Sequence, residues 1–302
     1  MSAVVAVVTD STACLSAELL AGAGIRVMPL RVVLAGRVTD EGMPGRGAAG
    51  TVADVEQALR RGERVGTASP APERFAAAYA AAAAGGAGAV VSVHLSARLS
   101  GTVNSASLAA RGAPVPVRVV DSQSIGMGLG FAVLAAAAAA GAGQDAASVA
   151  AAAAGRAAGL RSFFALDTPV HLRAGGRLAA SAALPESALT ARPLLHIRDG
   201  QIVALEKART PSAAVLRLEQ LAVEFAAGRP ADLAVPVPDR RPARGRACRA
   251  AGRDRARRPP GLPGRRGRGD LRSHRPWHDR RRGGPVLTGD ASLRLPAPSG
   301  RH

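Results

Sequence analysis

The amino-acid sequence predicts an α/β protein with a mainly parallel sheet in its first domain. Across residues 1–232, short apolar runs alternate with amphipathic or Ala-rich helical segments, the pattern of strands connected by helices. A chain of 302 residues is also long enough for two domains. We expect an N-terminal α/β domain over 1–160, a partial second α/β domain over 161–232 and a segment of another kind over 233–302.

Four of the apolar runs end in turns rich in hydroxyl side chains. The runs VVAVV, ERVG, AVVSV and VRVV lead to turns at 9–12, 67–70, 94–105 and 121–124. A helical segment follows each turn. One structural role for such side chains is to cap the helix by accepting hydrogen bonds from its first free N–H groups.

A second role follows from the position of the turns. The carboxyl ends of parallel strands meet at one edge of a sheet, where ligands of open α/β folds bind, and helix N-termini at that edge favour anions. Hydroxyl donors gathered there would hold a carboxylate or a small phosphate. The predicted anion site comprises Thr67, Ser96, Ser100, Thr102 and Asn104, with Ser11 nearby.

Motifs for other chemistries are incomplete or missing from the sequence. It contains no Gly-x-Ser-x-Gly elbow and no Gly-Lys-Ser/Thr phosphate loop, and the glycines of GMGLG lack the dinucleotide spacing. The histidines at 94, 171 and 196 are far apart, so we expect no metal site. An enzyme acting on a small anionic metabolite stays an alternative, although no base or nucleophile is identified for it.

The positive charge is concentrated at the C-terminus. The net charge of +18 is typical of proteins that bind nucleic acid. However, residues 1–232 hold 21 basic and 17 acidic residues, whereas residues 233–302 hold 19 and 5. From Leu233 onward the chain lacks Glu, Lys, Ile, Phe, Tyr, Met, Gln and Asn and is dense in Arg, Pro and Gly. This composition predicts disorder over 233–302.

Three interpretations of residues 233–302 compete. The segment is a nucleic-acid-binding tail that contacts phosphates, an inert extension, or a GC-rich gene translated in a shifted frame. Arg275–His278 can be encoded CGG CCC TGG CAC, which one base later reads Gly-Pro-Gly-Thr. We favour the frameshift, and we expect a nucleic-acid partner only if the tail is genuine.

Cysteine content and hydropathy bear on the compartment. Two cysteines, Cys14 and Cys248, cannot form a disulfide framework, which favours a reducing compartment and hence the cytoplasm. The N-terminus MSAVVAVVTDS lacks the basic region of a secretion signal. The longest apolar window, 128–143, is mostly Ala and Gly, which predicts a helix packed on a sheet and no membrane span.

Six motifs in succession resemble the DegV family of bacterial fatty-acid-binding proteins, over roughly residues 4–230. The most diagnostic is HLSARLSGTVNSA, which resembles the family's Ser-x-x-Leu-Ser-Gly-Thr. The other five are VVTDSTACL, VGTASPAPERF, VVDSQSIGMGLG, LDTPVHLRAGGRL and ARPLLHIRDGQIVALEKART.

This resemblance implies a two-domain α/β fold that holds one long-chain fatty acid between its domains and presents the carboxylate to a fatty acid kinase. It implies a carrier without catalytic residues, cofactor or metal. By position, Thr67 and Ser96 would donate to the carboxylate and Arg177 would supply the positive charge, because a guanidinium matches a carboxylate. Without the resemblance, Arg177 would be interpreted as a surface residue in a Gly turn. The other predicted residues, Ser11, Ser100, Thr102 and Asn104, would support the pocket.

The sequence departs from the family pattern in three places. Cys14 stands where an Asp is usual, and Arg192 stands where a Lys is usual. The family's later His followed by Gly-Pro-Gly does not occur in residues 233–302, although the shifted frame yields Gly-Pro-Gly-Thr at about that place. The second domain is therefore predicted to be incomplete, which would leave strand edges uncovered.

Sequencing of the gene tests the frameshift. Verified DNA from codon 225 to the stop is expected to contain one inserted or deleted base near codon 233, and its correction should restore a family-like C-terminus. An uninterrupted frame in the verified DNA would refute this hypothesis.

Overall fold

A computed structural model describes residues 3–41, 52–166, 170–178, 192–227 and 231–234. The expectations for the C-terminal segment and Cys248 therefore lie outside the described residues, except at Leu233 and Ala234. The strands are β1 (Val5–Asp10), β2 (Arg26–Met28), β3 (Arg31–Leu34), β4 (Arg37–Asp40), β5 (Val65–Ala68), β6 (Ala89–His94), β7 (Val117–Asp121), β8 (Phe163–Ala165), β9 (Arg192–Arg198) and β10 (Gln201–Ala208). The helices are a short 3-10 helix (Ser11–Ala13), α1 (Ala17–Ala23), α2 (Val52–Arg60), α3 (Pro72–Ala84), α4 (Thr102–Ala110), α5 (Met127–Gly141), α6 (Ala146–Ala158), α7 (Val170–Ala174) and α8 (Pro211–Ala226).

A parallel sheet with the strand order β2-β1-β6-β7 forms the centre of the fold. The predicted α/β class with a mainly parallel sheet is confirmed. From β1 the chain proceeds to β2 on one side, and from β6 it proceeds to β7 on the opposite side. The strand order therefore reverses between β1 and β6, and the crevice outside their carboxyl ends is where open α/β sheets bind ligands.

A separate sheet of order β4-β3-β5 is antiparallel. Its β3–β4 hairpin turns through Ala35 and Gly36, whose φ angles of 48° and 78° are those of a two-residue type I′ turn. Strand β5 covers the other edge of β3, where Val32 is paired with Thr67. The turn at 67–70 therefore does not follow a strand of the parallel sheet, and the expectation that all four hydroxyl-rich turns do so is wrong for this one.

The third sheet, of order β10-β9-β8, is also antiparallel. Its β9–β10 hairpin turns through Asp199 and Gly200, with φ angles of 50° and 74°. Leu178 forms an isolated parallel bridge with Ile202, so the segment after α7 lies along β10.

Helices cover both faces of the parallel sheet. On one face, Phe75 and Tyr79 of α3 and Ala106 of α4 are fully buried against Val8 and Val90. On the other face, α5 and α6 pack on the strand residues that point away from α3 and α4. This core continues into the third sheet, of order β10-β9-β8 (the β9 sheet). The shared core includes Val91, Val93, Leu129, Val133, Leu195, Ile197 and Ile202.

The apolar window at 128–143 coincides largely with α5, whose Leu129 and Val133 are fully buried. It is a packed helix, as predicted. Within the described ranges, no helix is both long and apolar enough to cross a membrane.

Two glycine substitutions test the packing of α5. A Cβ at Gly130 would lie 2.6 Å from the carbonyl oxygen of Ala13, so Gly130→Ala is expected to lower the free energy of unfolding by about 1–3 kcal/mol through overpacking. The control is Gly155→Ala in α6, where nothing lies within 4 Å and the better helix propensity of Ala should add up to about 1 kcal/mol. Denaturant unfolding measures both, and equal stabilities of the two variants would contradict the prediction.

Candidate functional site

The loop after β6, residues 95–101 (the β6 loop), is fastened to both neighbouring strands. The amide of Leu95 donates to Oδ2 of Asp10, the last residue of β1, at 3.0 Å. The amide of Ala97 donates to Oδ1 of Asp121, the last residue of β7, at 3.3 Å. Two carboxylates from flanking strands thus hold the peptide on either side of Ser96.

Ser96 itself is completely buried, and its polar groups are all engaged. Its amide donates to the carbonyl of Ser124 at 2.9 Å. Its hydroxyl donates to the carbonyl of Gly200 at 2.7 Å and accepts from the amide of Arg98 at 3.1 Å. The β9–β10 turn therefore contacts one of the two side chains predicted to donate to the carboxylate.

Arg177 reaches the same loop from the segment beside β10. Its Nε donates to the carbonyl of Leu99 at 3.4 Å, and a guanidinium nitrogen also donates to the carbonyl of Gly175. The amide of Leu99 in turn donates to the carbonyl of Ser96 at 3.0 Å. The structure thus places Arg177 against the loop that contains Ser96. Ser96 is buried and Arg177 is exposed.

A chain of three hydroxyls joins the end of β5 to the start of α4. Ser69 Oγ lies 3.1 Å from Ser100 Oγ, which lies 2.9 Å from Thr102 Oγ1. The predicted supporting residues Ser100 and Thr102 are therefore together, and Ser69, which the prediction omitted, links them to the strand that carries Thr67.

Three other predicted residues form no hydrogen bond with these groups among the described residues. Thr67 and Asn104 have exposed side chains, for which the described part of the chain shows no hydrogen bond. Ser11 donates to Oε2 of Glu41 at 2.6 Å and accepts from the amide of Leu30 at 2.9 Å, so it fastens the turn after β1 to the start of β3 and the end of β4.

Capping accounts for only one of the four hydroxyl-rich turns. Asp10 accepts from the amide of Thr12 and caps the 3-10 helix. The N-cap residues of α3, α4 and α5 are Ala71, Gly101 and Gly126, and none of these three helices has a side-chain cap among the described residues. The hydroxyls of the β6 loop thus remain near an uncapped helix N-terminus, which carries a partial positive charge.

Comparison with known proteins decides the family. The profile described as "Uncharacterised protein, DegV family" matches residues 4–237. The chain belongs to the DegV family. A DegV domain-containing protein of Streptomyces coelicolor is 47% identical over 243 residues, which cover 80% of this chain and 85% of that protein.

Solved DegV structures share this fold. A DegV family protein from Thermus thermophilus, described by its fatty acid binding, is 32% identical and superposes with a TM-score of 0.67 over 76% of this chain and 79% of that one. DegV from Bacillus subtilis, described as a fatty acid binding protein, is 30% identical with a TM-score of 0.67 over 76% and 80%.

Beneath the β6 loop, this DegV protein contains a fully buried polar chain. Tyr79 OH donates to Ser92 Oγ at 3.0 Å, Ser92 Oγ lies 2.7 Å from His94 Nε2, and His94 Nδ1 lies 3.0 Å from Asp10 Oδ2. If each hydroxyl donates once, the imidazole accepts from Ser92 and donates to Asp10, and every member is bonded. The chain links α3 to the carboxylate that holds Leu95.

Asp10, Asp121 and Gly200, which hold the β6 loop, are not among the residues predicted from the sequence. The two aspartates had one available signal, because each lies at the end of an apolar run, and both runs become strands of the same sheet. Gly200 had none, since its contact with Ser96 joins residues 104 positions apart. No cluster of three or more metal-ligating side chains occurs among the residues that the structure describes.

The pKa of Tyr79, the only tyrosine in the chain, tests the buried network. Burial raises the pKa of Tyr79 to about 12, against an ordinary value near 10. The unfolded chain then loses this proton first, so a contribution of about 2–3 kcal/mol is fully present below pH 10 and disappears as the pH rises towards 12. Tyrosinate absorbance should show a midpoint near 12 in the folded protein and near 10 in denaturant.

Tyr79→Phe provides the matched control for this titration. Its stability should lack the part of the alkaline decline that is due to tyrosine ionisation. A folded wild-type protein whose tyrosine titrates near pH 10 would contradict the burial of this hydroxyl.

Proposed function

We propose that this protein binds a long-chain fatty acid and holds its carboxylate at the β6 loop. The observation that carries the proposal is that Arg177 donates to the Leu99 carbonyl of the loop that carries Ser96, in a fold shared with two fatty-acid-binding DegV proteins. The crevice beside β1 and β6 is also where the strand order reverses.

The chemistry of the loop suits a carboxylate. Arg177 offers a planar set of donors, and the start of α4 contributes the partial positive charge of a helix N-terminus. Ser96 and Thr67 carry hydroxyls that can donate to a carboxylate oxygen. We assign these two and Arg177 to the carboxylate, and we assign supporting roles to Ser11, Ser100, Thr102 and Asn104.

The acyl chain would lie among apolar side chains beside the loop. Leu95 and Leu99 belong to the same core as Leu195 and Ile197 of β9, and all four are buried against one another in this structure. Each methylene buried there would contribute roughly 0.8 kcal/mol. We take residues 1–160 and 161–232 as the two domains on either side of the acyl chain, and the second of these domains as partial.

We further propose that the protein is a carrier that presents the carboxylate to a fatty acid kinase in the cytoplasm. Arg177 and Thr67 are exposed whereas Ser96 is buried, so a carboxylate held among them would lie at the rim of the protein. A phosphoryl-transferring partner could reach it there.

The buried polar chain does not support catalysis by the protein itself. Asp10, His94 and Ser92 are the residue types of a hydrolase triad, but all three are completely buried. Ser92 lies within strand β6 and also accepts from Tyr79, so a substrate has no access to its hydroxyl. A nucleophilic serine needs an exposed oxygen beside an oxyanion site. This arrangement favours a binding protein over an enzyme.

Fatty acid binding by the purified full-length chain tests the proposal. Lipid extraction followed by mass spectrometry should recover a fatty acid, and titration with a fluorescent fatty acid should saturate at one per chain. Thr67→Ala removes a donor to a charged group, worth about 1.5–3 kcal/mol, and should weaken binding at least about tenfold. Ser96→Ala should weaken it less, because in the structure its proton is already bonded to Gly200.

The controls are Thr39→Ala, on β4 of the same sheet as Thr67, and Ser148→Ala, in the first turn of α6. Both should leave the affinity unchanged. The carboxylate assignment is wrong if Thr67→Ala and Ser96→Ala bind the fluorescent fatty acid as tightly as these controls.

A further inference from the structure

The hydroxyl proton of Ser96 has two possible acceptors at the proposed site, the Gly200 carbonyl and the ligand carboxylate. A serine hydroxyl donates a single hydrogen bond, and the hydroxyl of Ser96 donates to the carbonyl of Gly200 at 2.7 Å. Under the proposed function, the same hydroxyl donates to the ligand carboxylate. The carboxylate can therefore take this proton only if the Gly200 carbonyl gives it up.

The turn that carries Gly200 is closely fitted to the β6 loop. Gly200 is buried, and a Cβ at this position would lie 2.5 Å from Ser96 Oγ and 3.2 Å from Arg98 Cγ. It would also lie 3.6 Å from Gln123 Cβ, in the turn after β7. Only a glycine, without a side chain, permits this approach, and its φ of 74° is one that glycine adopts without strain.

The rest of the hairpin is anchored independently. Leu195 and Ile197 of β9 and Ile202 of β10 are buried in the shared core, and Ile202 is bridged to Leu178. Towards solvent, Arg198 and Asp199 have side chains that are 72% and 92% exposed. Asp199 and Gly200, together with the strand ends Arg198 and Gln201, can thus move away from Ser96 while the buried parts of both strands stay in place.

We propose that the β9–β10 turn is a latch over the carboxylate site, which must open before the Ser96 hydroxyl can turn from the Gly200 carbonyl to the fatty acid carboxylate. This inference rests on the proposed function. The exchange favours the ligand, because a hydrogen bond to a charged acceptor is stronger than one to a neutral carbonyl.

The latch has a kinetic signature. When opening precedes binding, the observed association rate approaches the opening rate at high fatty acid concentration and levels off there. A site without such a step gives a rate that continues to rise. Variants that weaken the contact between Gly200 and Ser96 should raise the plateau, whatever they do to the final affinity.

Gly200→Ala is the first test, because the added Cβ cannot fit against Ser96 and must displace the turn. The matched control is Gly36→Ala in the β3–β4 hairpin. Its turn has the same type I′ pattern, with φ of 48° and 78°, but nothing lies within 4 Å of the added Cβ. The backbone strain is the same in both variants, so a difference between them reports the contact with Ser96.

Stopped-flow mixing of the full-length protein with a fluorescent fatty acid measures the plateau. We expect Gly200→Ala to raise it several-fold and Gly36→Ala to leave it unchanged. Ser96→Ala removes the donor without adding an atom, so it keeps the test decisive if Gly200→Ala does not fold. Its plateau should also rise, relative to the Ser148→Ala control, although its affinity falls.

The outcomes separate this inference from the proposed function. If the wild-type protein binds the fluorescent fatty acid but neither Gly200→Ala nor Ser96→Ala raises the plateau above its control, the latch is overturned and the proposed function stands. A wild-type rate that never levels off also overturns the latch. If the wild-type protein binds no fatty acid, both proposals fail.

Discussion

The arrangement of the candidate site depends on two aspartate carboxylates that accept hydrogen bonds from the β6 loop. Asp10 at the end of β1 and Asp121 at the end of β7 accept from Leu95 and Ala97, on either side of Ser96. The amide of Leu95 is buried and would be costly to leave unpaired, whereas the bond from Ala97 lies at the surface. Together the two aspartates fix the path of the peptide as β6 leaves the sheet. That path determines where the hydroxyl of Ser96, the carbonyl of Leu99 and the start of α4 lie.

The same loop contacts both parts of the fold between which the proposed ligand would lie, namely the helices on the parallel sheet and the β9 sheet. Below it, the chain from Asp10 through His94 and Ser92 to Tyr79 ties the loop to α3. Above it, Gly200 and Arg177 come from the segments around the β9 sheet. The lower contacts are fully buried and mutually satisfied, whereas the upper ones involve a turn with an exposed outer side, so movement is easier above the loop than below it.

Several sequence-based predictions were correct because they rest on local pattern. The apolar runs of β1, β6 and β7 and the helices after them predicted the parallel sheet, and the DegV motifs predicted the family. Two expectations failed for tertiary reasons. Strand β5 joined the free edge of β3, and α3, α4 and α5 began without the side-chain caps that the hydroxyl-rich turns suggested.

By itself, the sequence determined the α/β class, the family and the segment that carries Ser96, because periodicity and motif spacing are properties of neighbouring residues. Only the tertiary structure decided that Ser96 meets Gly200 and that Arg177 meets Leu99, since these contacts join residues 104 and 78 positions apart. It also decided that the hydrogen-bond partners of Ser11 are Glu41 and Leu30, which are 30 and 19 positions away. A hydroxyl bonds to whichever acceptor the fold brings within reach, and that choice is not written in its neighbours along the chain.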